Sequence, residues 1–136
     1  MSGAALGTKL KKGTTVIAEL TSIGGLELTA DTIDVTTLDS ADGYRKFIQG
    51  LKDGGEVSLS GFLNPADGKG QDELLEAFDS GDEEDYFIEF PEPISFKWSF
   101  KGIVTGFNTG AELEDAVSFE STIKVSGKPT LAAVTP

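Results

Sequence analysis

Alternation of apolar and polar residues, which marks a strand with one buried face, recurs along most of this chain. The strands it predicts, in chain order, cover residues 14–21, 32–38, 56–63, 86–90, 94–100 and 117–125. In the last of these, every second residue from Val117 to Val125 is apolar or small. Gly102 and Gly106 follow the fifth strand, and glycines at these places predict a bulge or a turn.

A helical period appears first just before the third strand. Apolar side chains recur at i, i+3, i+4 and i+7 from Tyr44 to Leu51, which predicts two helical turns. Gly54 and Gly55 come next, and the reversal of the backbone into the following strand predicts a positive φ at this pair.

A second helical period covers residues 71–81. Leu74, Leu75 and Phe78 form one stripe, acids occupy the first turn, and Gly81 follows, so that a helix covering the core is predicted. Six or so strands and one substantial helix predict a mainly β fold, an antiparallel β-sandwich or barrel with one flanking α-helix.

Composition narrows the chemistry that this fold can carry. The 136 residues suit one domain with a sizeable core. The chain has no cysteine and no histidine, which removes disulfides, thiolate ligands and the commonest general base. Its net charge of −12 repels nucleic-acid phosphates and anionic lipid. No apolar run suits a signal peptide or a membrane span, so we expect a soluble protein made in a cytoplasm.

Candidate sites for chemistry fail on spacing. The acidic run from Asp79 to Asp85 lacks the ligand pattern of a calcium loop, and the glycines around residues 64–70 lack Walker spacing. Serines and threonines have no histidine or Ser-x-x-Lys lysine to activate them, and the many carboxylates nominate no pair. The aromatic row at 96–100 fits a stacking platform or a core strand, and favours core. We predict no catalytic, cofactor or metal site, and no enzyme.

The middle of the chain carries a more specific pattern. The stretch DTIDVTTLDSADGYRKFIQGLKDGGEVSLSGFL (31–63) closely resembles the tail tube, or major tail, proteins of long-tailed, non-contractile bacteriophages. The resemblance continues through LLEAF (74–78) and the strand ending at Phe90–Pro91, and closes with VSGKP (125–129). It extends over about residues 14 to 131.

This resemblance implies a β-sandwich with one flanking helix, shared with the tube protein of type VI secretion. It also implies hexameric rings that stack into a hollow tube in the virion tail, through which DNA is ejected. Expected partners are other copies of the chain and the tape measure, tail tip and tail terminator proteins, with assembly in the bacterial cytoplasm. Genomic DNA would pass without specific binding, because an acidic wall repels it.

Three segments have little apolar surface to hold them on a monomer. We expect a flexible N-terminal arm at 1–13, a tail tube domain at 14–129 and a C-terminal tail at 130–136, with a loose loop at 64–70. The arm and loop would become ordered between stacked rings, the arm's lysines facing the eight acids of residues 72–85. The predicted subunit-contact residues are Lys9, Lys11, Lys12, Phe62, Leu63, Asp67 and Lys69.

Two other classes of function stay open at this point. One is a soluble β-sandwich module that binds carbohydrate or a receptor through Trp98 and neighbouring aromatic residues. The other is an enzyme that uses unpaired carboxylates. Monomers with sugar affinity would indicate the first, and turnover abolished by a carboxylate substitution would indicate the second.

Overall fold

Strands make up most of the protein. The structure is a computed structural model that describes residues 6–39, 41–63, 70–92, 94–111, 113 and 116–133. The elements within these ranges are the strands β1 (Lys9–Lys12), β2 (Thr15–Ile17), β3 (Leu20–Gly25), β4 (Thr29–Asp34), β5 (Phe47–Asp53), β6 (Glu56–Phe62), β7 (Glu84–Glu89), β8 (Phe96–Gly110) and β9 (Ser118–Ala133), the helix α1 (Gln71–Ser80), and a 3₁₀ turn at Ala41–Gly43. The prediction of a mainly β fold with one flanking helix is confirmed.

Seven of these strands form one antiparallel sheet with the order β2-β1-β7-β8-β9-β6-β3. The two edge strands, β2 and β3, are consecutive in the chain and separated only by Ala18 and Glu19. Three peptide steps from Ile17 to Leu20 reach at most about 11 Å. The sheet must therefore curl until its edges are neighbours, which gives a barrel-like body.

The core fills the inside of this curled sheet. The alternation predicted for residues 56–63, 86–90 and 117–125 is confirmed, because alternate residues of β6, β7 and β9 are buried. Stacked rings join neighbouring strands, with centroids 5.9 Å apart for Tyr86 and Phe100 and 5.6 Å apart for Phe107 and Phe119. The buried apolar residues are Leu10, Ile17, Val57, Leu59, Leu74, Ala77, Tyr86, Ile88, Phe100, Val104, Phe119, Ile123 and Val125.

The helix α1 begins after Gly70 and ends where Gly81 takes a left-handed conformation, as its pattern predicts. Its buried face is centred on Gln71, Leu74 and Ala77, so the predicted core stripe is wrong for Leu75 and Phe78, which are 45% and 44% exposed. The cause is a buried amide. Gln71 Nε2 donates to the carbonyl oxygens of Ala18 and Phe62, each at 2.9 Å, and this pair of bonds fixes the rotation of the helix.

The predicted helical turns at residues 44–51 are wrong. Residues 47–53 form β5, which pairs with β4 in a separate two-stranded sheet that places Ile33 opposite Ile48. The helical spacing assumed one buried face, but residues on both faces of this hairpin are exposed, so the spacing carries no information about burial. The predicted positive φ is confirmed at Gly55, at +78°.

Both ends of the domain differ from the expected loose segments. Residues 9–12 form β1, because Leu10 is completely buried between β2 and β7, and β9 continues as a strand to Ala133. Residues 1–5, 64–69 and 134–136 of the predicted arm, loop and tail lie outside the described residues. The predicted bulge occurs between Val104 and Gly106.

Candidate assembly surface

The hairpin formed by β4 and β5 is the most exposed apolar element of the described chain. Every residue of β4 and all but one of β5 are exposed. Large apolar side chains on it and on its connections are about half or more open to solvent, and these are Leu28, Ile33, Leu38, Tyr44, Phe47, Ile48 and Leu51. An isolated two-stranded hairpin is marginally stable in water, and an exposed apolar surface of this kind marks an interaction site.

The distal end of the hairpin is held in shape by polar contacts. Asp34 accepts the Thr36 N–H at 2.9 Å, and hydrogen bonding from Thr36 lowers the pKa of the Asp34 carboxyl. The Lys46 N–H donates to Thr36 Oγ1 at 2.7 Å, and Arg45 lies 3.6 Å from Asp34. These bonds define the connection between the strands while leaving Tyr44 and Arg45 about three-quarters exposed.

The base of the hairpin is attached to the body by a carboxylate. Asp53 Oδ1 accepts from Lys124 Nζ of β9 and from the Gly55 N–H, both at 2.8 Å. The Lys124 hydrogen bond, followed by the Gly55 bond, lowers the pKa of Asp53. A cleft of about 720 Å³ separates the hairpin from β9, with Lys52 and Lys128 among its lining residues. The hairpin thus contacts the body at its base and leaves an open groove beside it.

A second exposed apolar surface lies on α1. Leu75 and Phe78 are half-exposed and stand among acidic side chains. The helix has no basic residue, and neither does the rest of the chain from residue 70 to residue 96. Asp79 lies near the C-terminus of this helix, where the helix dipole is already negative, and no basic residue of the last turn offsets that charge.

Described residues show no other group arranged for chemistry. Among the described ranges, no cluster of three or more histidine, cysteine, aspartate or glutamate side chains is placed to hold a metal ion. No helix in the described part of the chain is long and apolar enough to cross a membrane. Trp98 packs against the core, as the core interpretation of the aromatic row predicts, whereas Phe96 in the same strand is 42% exposed.

The residues predicted for subunit contacts are scattered over the body. Lys11 is paired with Glu89 at 2.8 Å on the sheet, Lys9 is exposed, and Lys12 is half-buried. Phe62 is 49% exposed, and Leu63 packs against the core. Asp67 and Lys69 lie outside the described residues. The contact role of this set stays a prediction.

The exposed hairpin residues were missed because the sequence pattern there favoured a helix. A usable signal is the turn-rich stretch from Leu38 to Gly43, which has β-branched residues on its N-terminal side and aromatic and β-branched residues on its C-terminal side. That arrangement is typical of a hairpin, and it places Ile33 and Ile48 on opposing strands.

These observations define a class of protein, a small barrel-like body with a projecting apolar hairpin suited to contacts between copies. The chain belongs to the lambda phage tail tube protein family, because residues 6–132 match the family model. The resemblance in the sequence is thereby confirmed, and the family gives the chain a structural role in a tail tube. Membership of a family of structural proteins favours a role without catalysis for this chain.

Solved structures of tail components have the same fold. The chain is 20% identical to one in the virion of a native gene transfer agent particle, over 97% of this chain and 100% of that one, with a TM-score of 0.80. It is 22% identical to a chain in the tail of the empty gene transfer agent particle, refined with C6 symmetry, over 98% of this chain and 99% of that one, with a TM-score of 0.76. It is 11% identical to a chain of the SPP1 tail tube, over 95% of this chain and 77% of that one, with a TM-score of 0.66. No curated protein sequence matches the chain.

Proposed function

We propose that this protein assembles as hexameric rings that stack into the tube of a virion tail, the conduit for DNA ejection. The observation that carries the proposal is the apolar hairpin on a body of the tail tube family. The C6 symmetry of the gene transfer agent tail supports the number of copies in a ring. The family resemblance also supports tape measure, tail tip and tail terminator proteins as partners, assembly in the host cytoplasm, and a role without catalysis.

The hairpin explains why copies associate. Burying apolar surface stabilises an interface by about 25 cal/mol per Å², and the hairpin presents such side chains on both faces of a narrow ribbon. A ribbon covered on both faces must lie between other parts of the assembly rather than on its outer surface. Stacked rings offer that position, since a projection from one ring is enclosed by the next.

The charge of the chain fits a conduit for DNA. A duplex carries about one charge per 1.7 Å, and screening at physiological salt acts over about 8 Å. With a net charge of −12, each copy repels the phosphates at close range, so DNA slides without being retained. The proposal places some of these acids on the wall of the bore.

Electron microscopy of the purified full chain at increasing concentration tests the proposal. We expect rings and tubes with C6 symmetry, and an acidic bore in their reconstruction. A chain that stays monomeric at every concentration, or tubes with a basic bore, would contradict the corresponding part. Ile48→Asp should abolish tubes while leaving a folded subunit by circular dichroism. Thr105→Asp is the control, because it adds the same charge at an exposed position on β8.

A further inference from the structure

The exposed end of the hairpin combines apolar and basic side chains. This hairpin tip, defined as Leu38, Tyr44, Arg45 and Lys46, stands at the connection between β4 and β5. Arg45 is 77% exposed on its side chain, and its ion pair with Asp34 at 3.6 Å is a surface contact of small value. An aromatic ring and a guanidinium side by side suit a partner surface that is itself apolar and acidic.

One surface of the described chain has that complementary character. The outer face of α1, defined as Leu75, Glu76, Phe78 and Asp79, holds two half-exposed apolar side chains and two exposed carboxylates. Positions 75 and 78, 75 and 79, and 76 and 79 are three or four apart along the helix, so these pairs are neighbours on its surface. The patch thus matches the hairpin tip in chemistry, with the charge reversed.

The end of the helix adds a reason for a cationic partner. The last carbonyl groups of a helix have no acceptor role inside it, and the dipole concentrates negative charge there. Asp79 and Ser80 stand at this end of α1, and no basic residue lies in the last turn. The Ala77 carbonyl oxygen already accepts from the Gly81 N–H at 3.0 Å and from the Ser80 hydroxyl at 3.3 Å. A guanidinium from outside would offset the dipole and the carboxylates at this end.

We propose that the hairpin tip of one copy docks on the outer face of α1 of a second copy. The proposal rests on the proposed function and names the surface that receives the hairpin. The two surfaces belong to different parts of the subunit, because the hairpin is attached at β9 and α1 packs against β8. A contact between different patches is heterologous and can repeat along an assembly.

A pair of charge-reversed full-length variants tests the contact. The hairpin variant carries Arg45→Glu and Lys46→Glu, and the helix variant carries Glu76→Lys and Asp79→Lys. Alone, each variant places like charges opposite one another in the contact, and like charges repel. We expect the concentration needed for tubes to rise at least about tenfold for each variant. In a mixture, every contact between the two different variants is again between opposite charges, so tubes in which they alternate should form near the wild-type concentration.

A matched control separates this effect from overall charge. The control carries Lys52→Glu and Lys128→Glu, at the cleft beside the base of the hairpin. It changes the net charge by the same amount as the hairpin variant. Alone, this control should form tubes near the wild-type concentration, unlike the hairpin variant, because both contact surfaces are unchanged. Tubes from either reversed variant alone at the wild-type concentration, or failure of the mixture to assemble, would overturn the proposal.

Cross-linking gives a readout that does not require tubes. The natural chain has no cysteine, so Tyr44→Cys and Phe78→Cys each introduce a single thiol. Mixed and oxidised, they should give a disulfide-linked dimer in several-fold excess over the mixture of Tyr44→Cys with Thr105→Cys. A heterodimer yield equal to that control would contradict the contact even if tubes form. A raised yield without tubes would support the contact while the tube proposal fails.

Discussion

At the scale of single residues, a left-handed backbone at Gly55 controls how the hairpin joins the body. A Cβ there would approach the Glu27 carbonyl oxygen to 2.7 Å, whereas Gly81 at the end of α1 has φ +70° and open space around it. Gly81→Ala should cost about 1–2 kcal/mol from left-handed strain alone. Gly55→Ala should cost more, because Glu27 must move. Urea unfolding of dissociated subunits measures both, and equal losses would show that the Glu27 contact is unimportant.

Tyr86 predicts an alkaline limit to stability. Burial, followed by the charges of Glu84 and Glu73, raises the pKa of Tyr86 from 10.0 to about 12. Above pH 10 the unfolded chain loses this proton while the folded chain keeps it, so the free energy of unfolding falls between pH 10 and 12. Tyr86→Phe should reduce that fall, which urea unfolding across the pH range measures. A variant with an unchanged pH dependence would disprove the assignment.

The same substitution also tests an unsatisfied group. The Tyr86 hydroxyl is buried and has no hydrogen-bond partner among the described residues. Leaving a buried polar group unpaired costs about 1–3 kcal/mol, so its removal should keep or raise the free energy of unfolding at pH 7. A loss of more than about 1 kcal/mol in Tyr86→Phe would indicate that the hydroxyl is bonded in solution.

At the scale of elements, α1 has two faces with different tasks. Leu74 is completely buried and Phe78 is 44% exposed. Leu74→Ala should lower the free energy of unfolding of the subunit by about 2–5 kcal/mol, the cost of a cavity in the core. Phe78→Ala should cost less than about 1 kcal/mol there but should raise the concentration needed for tubes. If Phe78→Ala destabilised the subunit as much as Leu74→Ala, the ring would belong to the core instead.

Elements with one buried face were predictable, and those outside the body were not. In β6 and the first half of β9, every second side chain is buried in the core. These positions must therefore be apolar or small, which gives the alternating pattern visible in the sequence. Residues 47–53 have no such requirement within one subunit, because all but one of them are exposed, so a helical spacing there was misleading. Leu75 and Phe78 were misplaced because one of the bonds that orient the helix joins the Gln71 amide to Ala18, 53 residues away in the sequence.

At the scale of the whole molecule, net charge sets the conditions for assembly. Copies with a charge of −12 repel one another over about 30 Å at 0.01 M salt and over about 8 Å at 0.15 M. The contact at Arg45 acts over a few ångströms and is screened less. Assembly followed by light scattering should therefore accelerate as salt rises between these values. A rate that falls steadily from the lowest salt would show that attraction between charges dominates instead.

The order of strands in the sheet also determines when a new subunit can fold. β9 lies between β8 and β6, so it joins the group β2-β1-β7-β8 to the group β6-β3. It is the last described strand to be synthesised, and β1, which ends at Lys12, waits for β7, which begins at Glu84. At roughly 5–20 residues per second, that wait lasts about 4 to 14 seconds. The body closes only when residues 118–133 have been made, so no surface that depends on the closed sheet is available for assembly before β9 is synthesised.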